Sequence, residues 1–444
     1  MRVLLLLSIL CLLVGCEADH AVESSVDTEL QRAIRNASND GTLEHFILPE
    51  SDDYANIPQE PLNPLNDAKV RLGNMLFFET GIALDAKYTS GIETYSCGSC
   101  HLASAGFKPG SMQGIADGGM GIGINGEGRL QNPEYREDEL DVQGIRPLSV
   151  LNVAFVPNTL WNGQFGGTHK NEGLEHIFGT TIPETEMNHL GMLGPETQNI
   201  EGLKLHRMII NEDVVSDLGY KDLFDQAFPD FTGEERYSDV TGAFAITAYL
   251  RALISNEAPF QSWLKGNYSA MSEAEKRGAL VFFEKGNCAS CHSEKNLGSN
   301  RFFALGVNDM DMQPSYNRNR NNKKNFGRGG FTNIADDFYK FKVPQLYNVG
   351  DNPFFFHGSS KTTLEEVVEY FDEAIPENAR VPERQIASQF KPLNLTEQEK
   401  EDIKAFLENG LRDPNLDRYV PETVLSGNCF PNNDPRSNQD TGCN

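Results

Sequence analysis

Positive charge is scarce in this chain. Its 444 residues include 38 Lys and Arg against 64 Asp and Glu, which gives a net charge of −26 at pH 7. Nucleic acid is a dense polyanion that is attracted by basic surfaces. The composition therefore argues against a nucleic-acid partner.

Long apolar runs are lacking beyond the first residues. The single run covers residues 3–14 behind one Arg, which suits a signal peptide and is short for a membrane span. It ends in Leu-Val-Gly-Cys, which resembles a bacterial lipobox. We therefore predict a lipoprotein signal peptide over residues 1–16, with cleavage near Ala18 as the alternative. Glu17 is compatible with passage to the outer membrane. The expected location is the periplasmic side of the bacterial cell envelope, with a lipid on Cys16 as the membrane contact.

Cysteine is limited to eight residues. Cys11 and Cys16 lie in the leader, and four more belong to a pentapeptide that occurs twice. The remaining two, Cys429 and Cys443, lie in a polar tail over residues 413–444. In an oxidising compartment we expect these two to pair with each other.

The repeated pentapeptide is C-x-x-C-H, at residues 97–101 and 288–292. A dithiol redox site or an ordinary disulfide does not explain the His that follows both times. A four-Cys zinc site usually places its pairs about 15–20 residues apart, much closer than here. The pattern is typical of covalent haem c, in which two thiols form thioethers and the His ligates the iron. The predicted attachment residues are Cys97, Cys100, Cys288 and Cys291, and the predicted iron ligands are His101 and His292.

A second repeat precedes these motifs. The sequence G-x-x-x-F-F-E occurs at residues 73–79 and 278–284, each time at the end of a helical pattern. A duplicated unit of one helix and one haem motif predicts a mainly α fold with two cytochrome c-like domains in tandem and long loops. The expected order is an acidic tether over 17–60, an N-terminal domain over 61–238, a C-terminal domain over 239–412, and the tail.

These features together resemble the bacterial di-haem cytochrome c peroxidase family, which also contains the MauG-type enzymes. The match covers roughly residues 60–410. Besides the two haem motifs, its markers are Val-Leu-Asn-Val-Ala-Phe at 150–155, Trp-Asn-Gly at 161–163, Phe-Lys-Val-Pro at 341–344 and His-Gly-Ser at 357–359.

The resemblance implies that hydrogen peroxide reacts at the haem on His101. The haem on His292 would take electrons from a small cytochrome c or copper protein. Trp161 resembles the tryptophan that lies between the haems in this family. Peroxide cleavage also needs a group that moves a proton between the two oxygens, and the family uses a Glu after the Trp. Glu196 and Glu186 are the candidates, of which we favour Glu196.

The chain departs from the family at three places. Some members carry a His after the first haem that ligates the resting iron, but residues 102–130 contain none. We therefore expect an open first haem. The second ligand of the other haem is Met in the peroxidases and Tyr in MauG-type enzymes. Here Phe371 takes that place, so Tyr370 is the candidate ligand, with Met310 or Met312 as alternatives. We also expect the calcium ion of the family, although Pro147 occupies the position of its Asn ligand.

The resulting prediction is an enzyme, a di-haem c-type peroxidase that reduces hydrogen peroxide. Two alternatives stay open at this point. One is a MauG-type oxidase that uses the oxidising equivalents on a protein substrate. The other is a non-enzymatic di-haem electron carrier, which would hold both irons six-coordinate.

Overall fold

The computed structural model describes residues 23–443, and these residues are mainly helical with long connecting loops. The helices are α1 (Ser25–Ala37), α2 (Asp67–Phe78), α3 (Gly194–Leu205), α4 (Glu212–Asp217), α5 (Lys221–Ala227), α6 (Asp239–Ala252), α7 (Pro259–Leu264), α8 (Glu273–Phe283), α9 (Gly329–Thr332), α10 (Leu364–Glu373), α11 (Glu397–Ala405) and α12 (Pro435–Thr441). Two short antiparallel pairs join β1 (Gly119–Met120) to β2 (Leu130–Gln131) and β3 (Phe302–Phe303) to β4 (Phe341–Lys342). Within residues 23–443 we find no helix with the length and apolar character needed to cross a membrane. The predicted signal peptide and Cys16 lie outside the described residues.

The buried side chains form two large clusters. The first is built by α2, α3, α5 and α6 around residues such as Leu76, Phe224 and Ile246. The second is built by α1, α7, α8 and α11 around residues such as Phe282 and Phe406. Each cluster contains one helix that precedes a haem motif. The predicted mainly α fold is therefore confirmed, and each haem motif belongs to a core of its own.

The repeated glycine explains how the two cores resemble each other. A Cβ atom on Gly73 of α2 would lie 1.8 Å from the carbonyl oxygen of Ala245 in α6. A Cβ atom on Gly278 of α8 would lie 1.8 Å from the carbonyl oxygen of Asp402 in α11. Only a residue without a side chain permits such a close approach of two backbones. The same helix crossing is thus built twice, from the same position of the repeat.

Two of the expected boundaries differ from the structure. Helix α6 was assigned to the C-terminal domain at residue 239, but it packs against α2 in the first cluster, because Gly73 lets the two backbones meet. The tether expected over 17–60 is not a tether in its described part. Helix α1 docks on α8, where buried Asp27 accepts a hydrogen bond from the Trp263 indole and pairs with Lys276 at 3.0 Å. The acidic composition of this segment does not reveal that it contains an amphipathic helix that packs on α8.

The polar tail folds back over the first haem motif. Cys429 and Cys443 form a disulfide. The Ser96 hydroxyl donates to the Pro431 carbonyl at 2.8 Å, and the Asn432 amide donates to the Ser99 hydroxyl at 2.9 Å. Further along, Asp434 and Asp440 accept backbone N–H groups of the glycine-rich loop at residues 121–123. The tail therefore holds both the haem-binding turn and the loop that follows it.

The glycine crossings generate a prediction about stability. Gly278→Ala should lower the free energy of unfolding by about 3 kcal/mol, because the added methyl group meets the Asp402 backbone and outweighs the better helix propensity of Ala. Urea unfolding of the haem-loaded protein, followed by circular dichroism, measures this change. Arg71→Ala is the matched control, since Arg71 is exposed on α2 and should change stability by less than about 0.5 kcal/mol. Equal stability of the two variants would contradict the proposed close contact.

Candidate active site

The first haem motif forms a tight turn beside a cavity. Residues Cys97–Ser99 make one turn of 3-10 helix, and the thiols of Cys97 and Cys100 are not disulfide-bonded. His101 follows, and its Nδ1 lies 2.9 Å from the carbonyl oxygen of Phe107. That carbonyl accepts a hydrogen bond from the Nδ1–H group, so the lone pair of Nε2 is the one left for iron. Phe77, from the end of α2, lies against the His101 ring at 6.3 Å between centroids.

The second haem motif repeats this geometry. Cys288 and Cys291 are likewise free of a disulfide, and Nδ1 of His292 lies 2.7 Å from the Leu297 carbonyl oxygen. Phe282 takes the place of Phe77, at 6.2 Å from the His292 ring. Burial lowers the pKa of both His101 and His292 to about 4. Both imidazoles are therefore neutral at pH 7, which is the form that ligates iron.

The cavity at the first motif has a volume of about 230 Å³. Cys97, Cys100 and His101 line one side of it, and Trp161 lines another. Helix α3 contributes a wall, because positions at three- and four-residue spacing share one helix face. These α3 residues are Pro195, Gln198, Asn199 and Gly202, with His206 at the helix end.

Cations surround this cavity without carboxylate partners. Arg146 is 2% exposed and donates only to backbone carbonyls, and its Nε has no hydrogen-bond partner among the described residues. Lys342 is 4% exposed, and burial lowers its pKa to about 7. Burial lowers the pKa of Lys108 to about 7 as well. A buried cation is costly unless an anion compensates it. The two propionates of a haem attached to Cys97 and Cys100 are anions of the required kind, so these residues fit the group that the motif implies.

Trp161 lies where the two halves of the chain meet. Its indole N–H donates to the Arg146 carbonyl at 2.7 Å, and its own carbonyl accepts the Lys342 backbone N–H at 2.7 Å. The buried His357 ring meets the Trp161 ring edge-on at 6.2 Å and stacks on Phe341 at 3.6 Å. Trp161 thus borders the first cavity and also contacts the segment that follows the second haem motif.

The two predicted glutamates do not belong to the lining of the cavity as the structure describes it. Glu196 is fully buried on α3 outside this lining, with both carboxylate oxygens bound by Arg251 at 2.6 and 3.0 Å. Glu186 is exposed on the 3-10 helix Pro183–Leu190. Their catalytic assignment stays a prediction, and the structure brings neither next to His101.

A carboxylate–imidazole pair that the sequence did not predict does line the cavity. Nδ1 of His206 lies 2.7 Å from Oδ2 of Asp141, and both residues border the cavity. The two residues are 65 positions apart and belong to no motif, so sequence spacing carried no signal for them. The structure alone identifies this pair.

The predicted ligands of the second haem have distinct surroundings. The Tyr370 hydroxyl donates to the Leu305 carbonyl at 2.9 Å, and its ring lies against Phe356 and Phe390. Met310 is buried and Met312 is 38% exposed. Tyr370 as a ligand stays a prediction. The calcium site also stays a prediction. Among residues 23–443, no group of three or more His, Cys, Asp or Glu side chains could hold a metal ion.

Comparison with known proteins places this geometry in context. A family model described as di-haem cytochrome c peroxidase matches residues 67–269. Methylamine utilization protein MauG of Methylorubrum extorquens is 26% identical over 374 residues, which cover 83% of this chain and 84% of that protein. Cytochrome c551 peroxidase of Pseudomonas aeruginosa is 25% identical over 347 residues, which cover 78% and 79%. The crystal structure of a MauG-like protein associated with microbial copper homeostasis shares the fold, with a TM-score of 0.55 at 24% identity over 83% of this chain and 95% of that one.

The buried ion pair of α3 generates a prediction. Glu196→Gln should lower the free energy of unfolding by about 3–5 kcal/mol, because Arg251 would then be buried without a counter-charge. Glu186→Gln is the control and should change stability by less than about 0.5 kcal/mol, since Glu186 is exposed. Urea unfolding of the two haem-loaded variants measures the difference. Turnover of each folded variant also tests the catalytic assignments, and a Glu196→Gln variant as stable as Glu186→Gln would contradict the role of the ion pair.

Proposed function

Because the chain belongs to the di-haem cytochrome c peroxidase family, we propose that it reduces hydrogen peroxide to water with electrons from a small redox protein. It is a haem-dependent oxidoreductase that carries two c-type haems, one at each C-x-x-C-H motif. The donor would be a cytochrome c or a copper protein. When bound, the haem on His101 would supply the iron at which the O–O bond is broken, and the haem on His292 would supply a second redox centre.

One observation carries the proposal that peroxide reacts at the first motif. Besides its charged residues, the wall of the cavity beside His101 carries apolar side chains and amides, among them Gln164 and Gln198. Such a wall can hold a small neutral molecule by hydrogen bonds without adding a further iron ligand. The absence of His from residues 102–130 supports the same assignment. His101 holds the cofactor, Arg146 and Lys342 balance its charge, and the amides orient the substrate.

The contacts of Trp161 support electron entry at the C-terminal haem. The Trp161 backbone binds β4 through Lys342, and its ring meets His357, so it is held by the half of the chain that carries His292. An indole at this junction provides an intermediate site for electron transfer between the two redox centres. The first haem turn, by contrast, is covered by the tail through Pro431 and Asn432. We infer that a donor protein reaches the haem on His292 first.

A MauG-type oxidase is the second candidate function. Two observations favour it: a relative that is named MauG, and a Tyr close to the position where MauG-type enzymes carry an iron ligand. If Tyr370 ligates the iron, its hydroxyl must exchange the Leu305 carbonyl for the metal. A tyrosine oxygen favours ferric iron, whereas a Met raises the reduction potential.

Spectroscopy and turnover test the proposed function together. The ferric protein should show a high-spin component in its optical and EPR spectra that responds to hydrogen peroxide. It should also oxidise a reduced cytochrome c in a peroxide-dependent manner. Low-spin spectra for both irons, with no peroxide-dependent oxidation, would leave only the electron carrier. A peroxide response without oxidation of small donors would favour the MauG-type candidate, and the EPR of the low-spin iron reports whether Tyr370 is a ligand.

Trp161 gives a sharper test of the electron route. Trp161→Phe should slow turnover with the reduced donor by about tenfold, because the indole step is lost, while peroxide binding to the ferric protein stays unchanged. Trp263→Phe is the matched control, since Trp263 is the other tryptophan of the chain and packs only in the second core. Stopped-flow measurement of donor oxidation compares the two. Equal rates would exclude Trp161 from the route.

We also propose that the mature protein is a lipoprotein of the cell envelope, anchored through Cys16. Residues 13–16 support this proposal through their likeness to a lipobox. Mass spectrometry of the mature N-terminus should find an acylated Cys16, and the protein should sediment with outer membranes. An unmodified N-terminus near Ala18 would support the ordinary signal peptide instead.

A further inference from the structure

The Asp141–His206 pair belongs to the wall of the cavity. The His206 side chain is 39% exposed, whereas that of Asp141 is 7% exposed, and both residues line the cavity next to His101. His206 lies at the end of α3, where its own carbonyl accepts the Tyr95 hydroxyl at 2.9 Å. The backbone of Asp141 is bonded to Ala116 and Asp117. The pair is therefore held from both sides by ordered structure.

Asp141 and His206 differ chemically from the other titratable side chains of the cavity wall. In the described part of the chain, that wall includes no other carboxylate and no other imidazole except the iron ligand His101. The remaining charged residues of the wall are cations, which would balance a haem's propionates: Lys108, Arg146, Lys324 and Lys342. Because the propionates would hold these cations in their charged form, His206 is the side chain of the wall that is suited to exchange protons.

We propose that the Asp141–His206 pair supplies protons to the cavity during peroxide reduction. This inference rests on the proposed function. Reduction of hydrogen peroxide consumes two electrons and two protons and gives two water molecules, so both protons must reach a buried site from outside. His206 lies in the wall of that site, and Asp141 fixes its orientation.

The hydrogen bond with Asp141 suits His206 to this task. Because Asp141 accepts the proton of Nδ1, Nε2 is the nitrogen that exchanges protons, and it has no hydrogen-bond partner among the described residues. The charge of Asp141 raises the pKa of His206 above its usual 6.5, against the lowering effects of burial, Lys324 and Arg207. His101 is the other imidazole that lies near His206 in the cavity wall. His206 therefore keeps its proton to a higher pH than a free imidazole does, and proton delivery should weaken as the pH rises through its raised pKa.

Glu196 is less suited to the same task. Its carboxylate is fully buried, and Arg251 occupies both oxygens. A proton placed on Glu196 would break a buried ion pair, which costs several kcal/mol. Glu186 is exposed and outside the cavity wall. Neither lies in the cavity wall as His206 does.

The test compares His206→Asn with His176→Asn in the haem-loaded protein. His176 is exposed and outside the cavity wall, so it controls for the loss of a surface imidazole. Proton uptake during a single turnover is measured with a pH-indicator dye in a stopped-flow instrument. We expect His206→Asn to slow proton uptake at least about tenfold, with an unchanged ferric spectrum, and His176→Asn to match the parent protein. The decline of kcat/KM at high pH, present in the parent protein, should be absent from His206→Asn.

Buffer rescue separates proton transfer from a structural effect. At fixed pH and ionic strength, raising the concentration of MES should restore proton uptake in His206→Asn and leave the parent protein unaffected, because a small buffer can replace the missing imidazole. Asp141→Asn should retain His206 but shift the high-pH decline to lower pH. Parent-like proton uptake in His206→Asn would overturn the proposal. So would a changed ferric spectrum, which would make His206 an iron ligand. Absence of peroxide turnover in the parent protein would instead reject the proposed function.

Discussion

Uncompensated positive charge is the constraint on which the N-terminal half depends. Arg146 and Lys342 are almost fully buried, come from opposite halves of the chain, and have no carboxylate within contact in the described residues. Leaving such groups in a protein interior costs several kcal/mol each unless an anion joins them. The cavity is therefore suited to an anionic cofactor. Covalent attachment at Cys97 and Cys100 fixes the position of the anionic propionates of a haem. The backbones of Arg146 and Lys342 hydrogen-bond to Trp161 and so join its segment to strand β4.

The two haem turns are built alike, but their surroundings differ. In both, a glycine lets two helices cross, a Phe lies against the ligating His, and a backbone carbonyl holds Nδ1. The first turn then opens on a cavity walled by α3 and by amide side chains. The second is followed by an aromatic group in which Phe356 and Phe390 surround Tyr370. Duplication thus supplied two equivalent attachment sites, and the loops and helices outside the repeat made them chemically unequal.

Features fixed by local spacing could be predicted from the sequence. The haem attachment residues, the proximal histidines and the repeated glycine need only a few neighbouring residues, so they leave a readable pattern. Helix α1 was missed because its buried Asp27 is explained by Lys276, which is 249 positions away. The boundary near α6 was misplaced because a helix pattern does not show which core receives the helix. Glu196 is the favoured candidate because of its sequence distance from the segment at residues 220–224, but its surroundings depend on packing against Arg251, which the sequence does not show. The Asp141–His206 pair belongs to no sequence pattern, since folding brings a loop residue next to the residue that ends α3.

In the proposed reaction, electrons and protons approach the same cavity from different sides. Trp161 and His357 lie where the C-terminal half meets the cavity, whereas His206 lies at the end of α3 beside Lys324. An electron that arrives without a proton leaves uncompensated negative charge in a site of low dielectric constant, which is costly. Separate routes allow each electron to be matched by a proton from solvent without opening the contact between the two halves. The tail covers the turn at residues 97–100, and His206 lines the cavity from the end of α3, so neither feature interrupts the contact between the two halves.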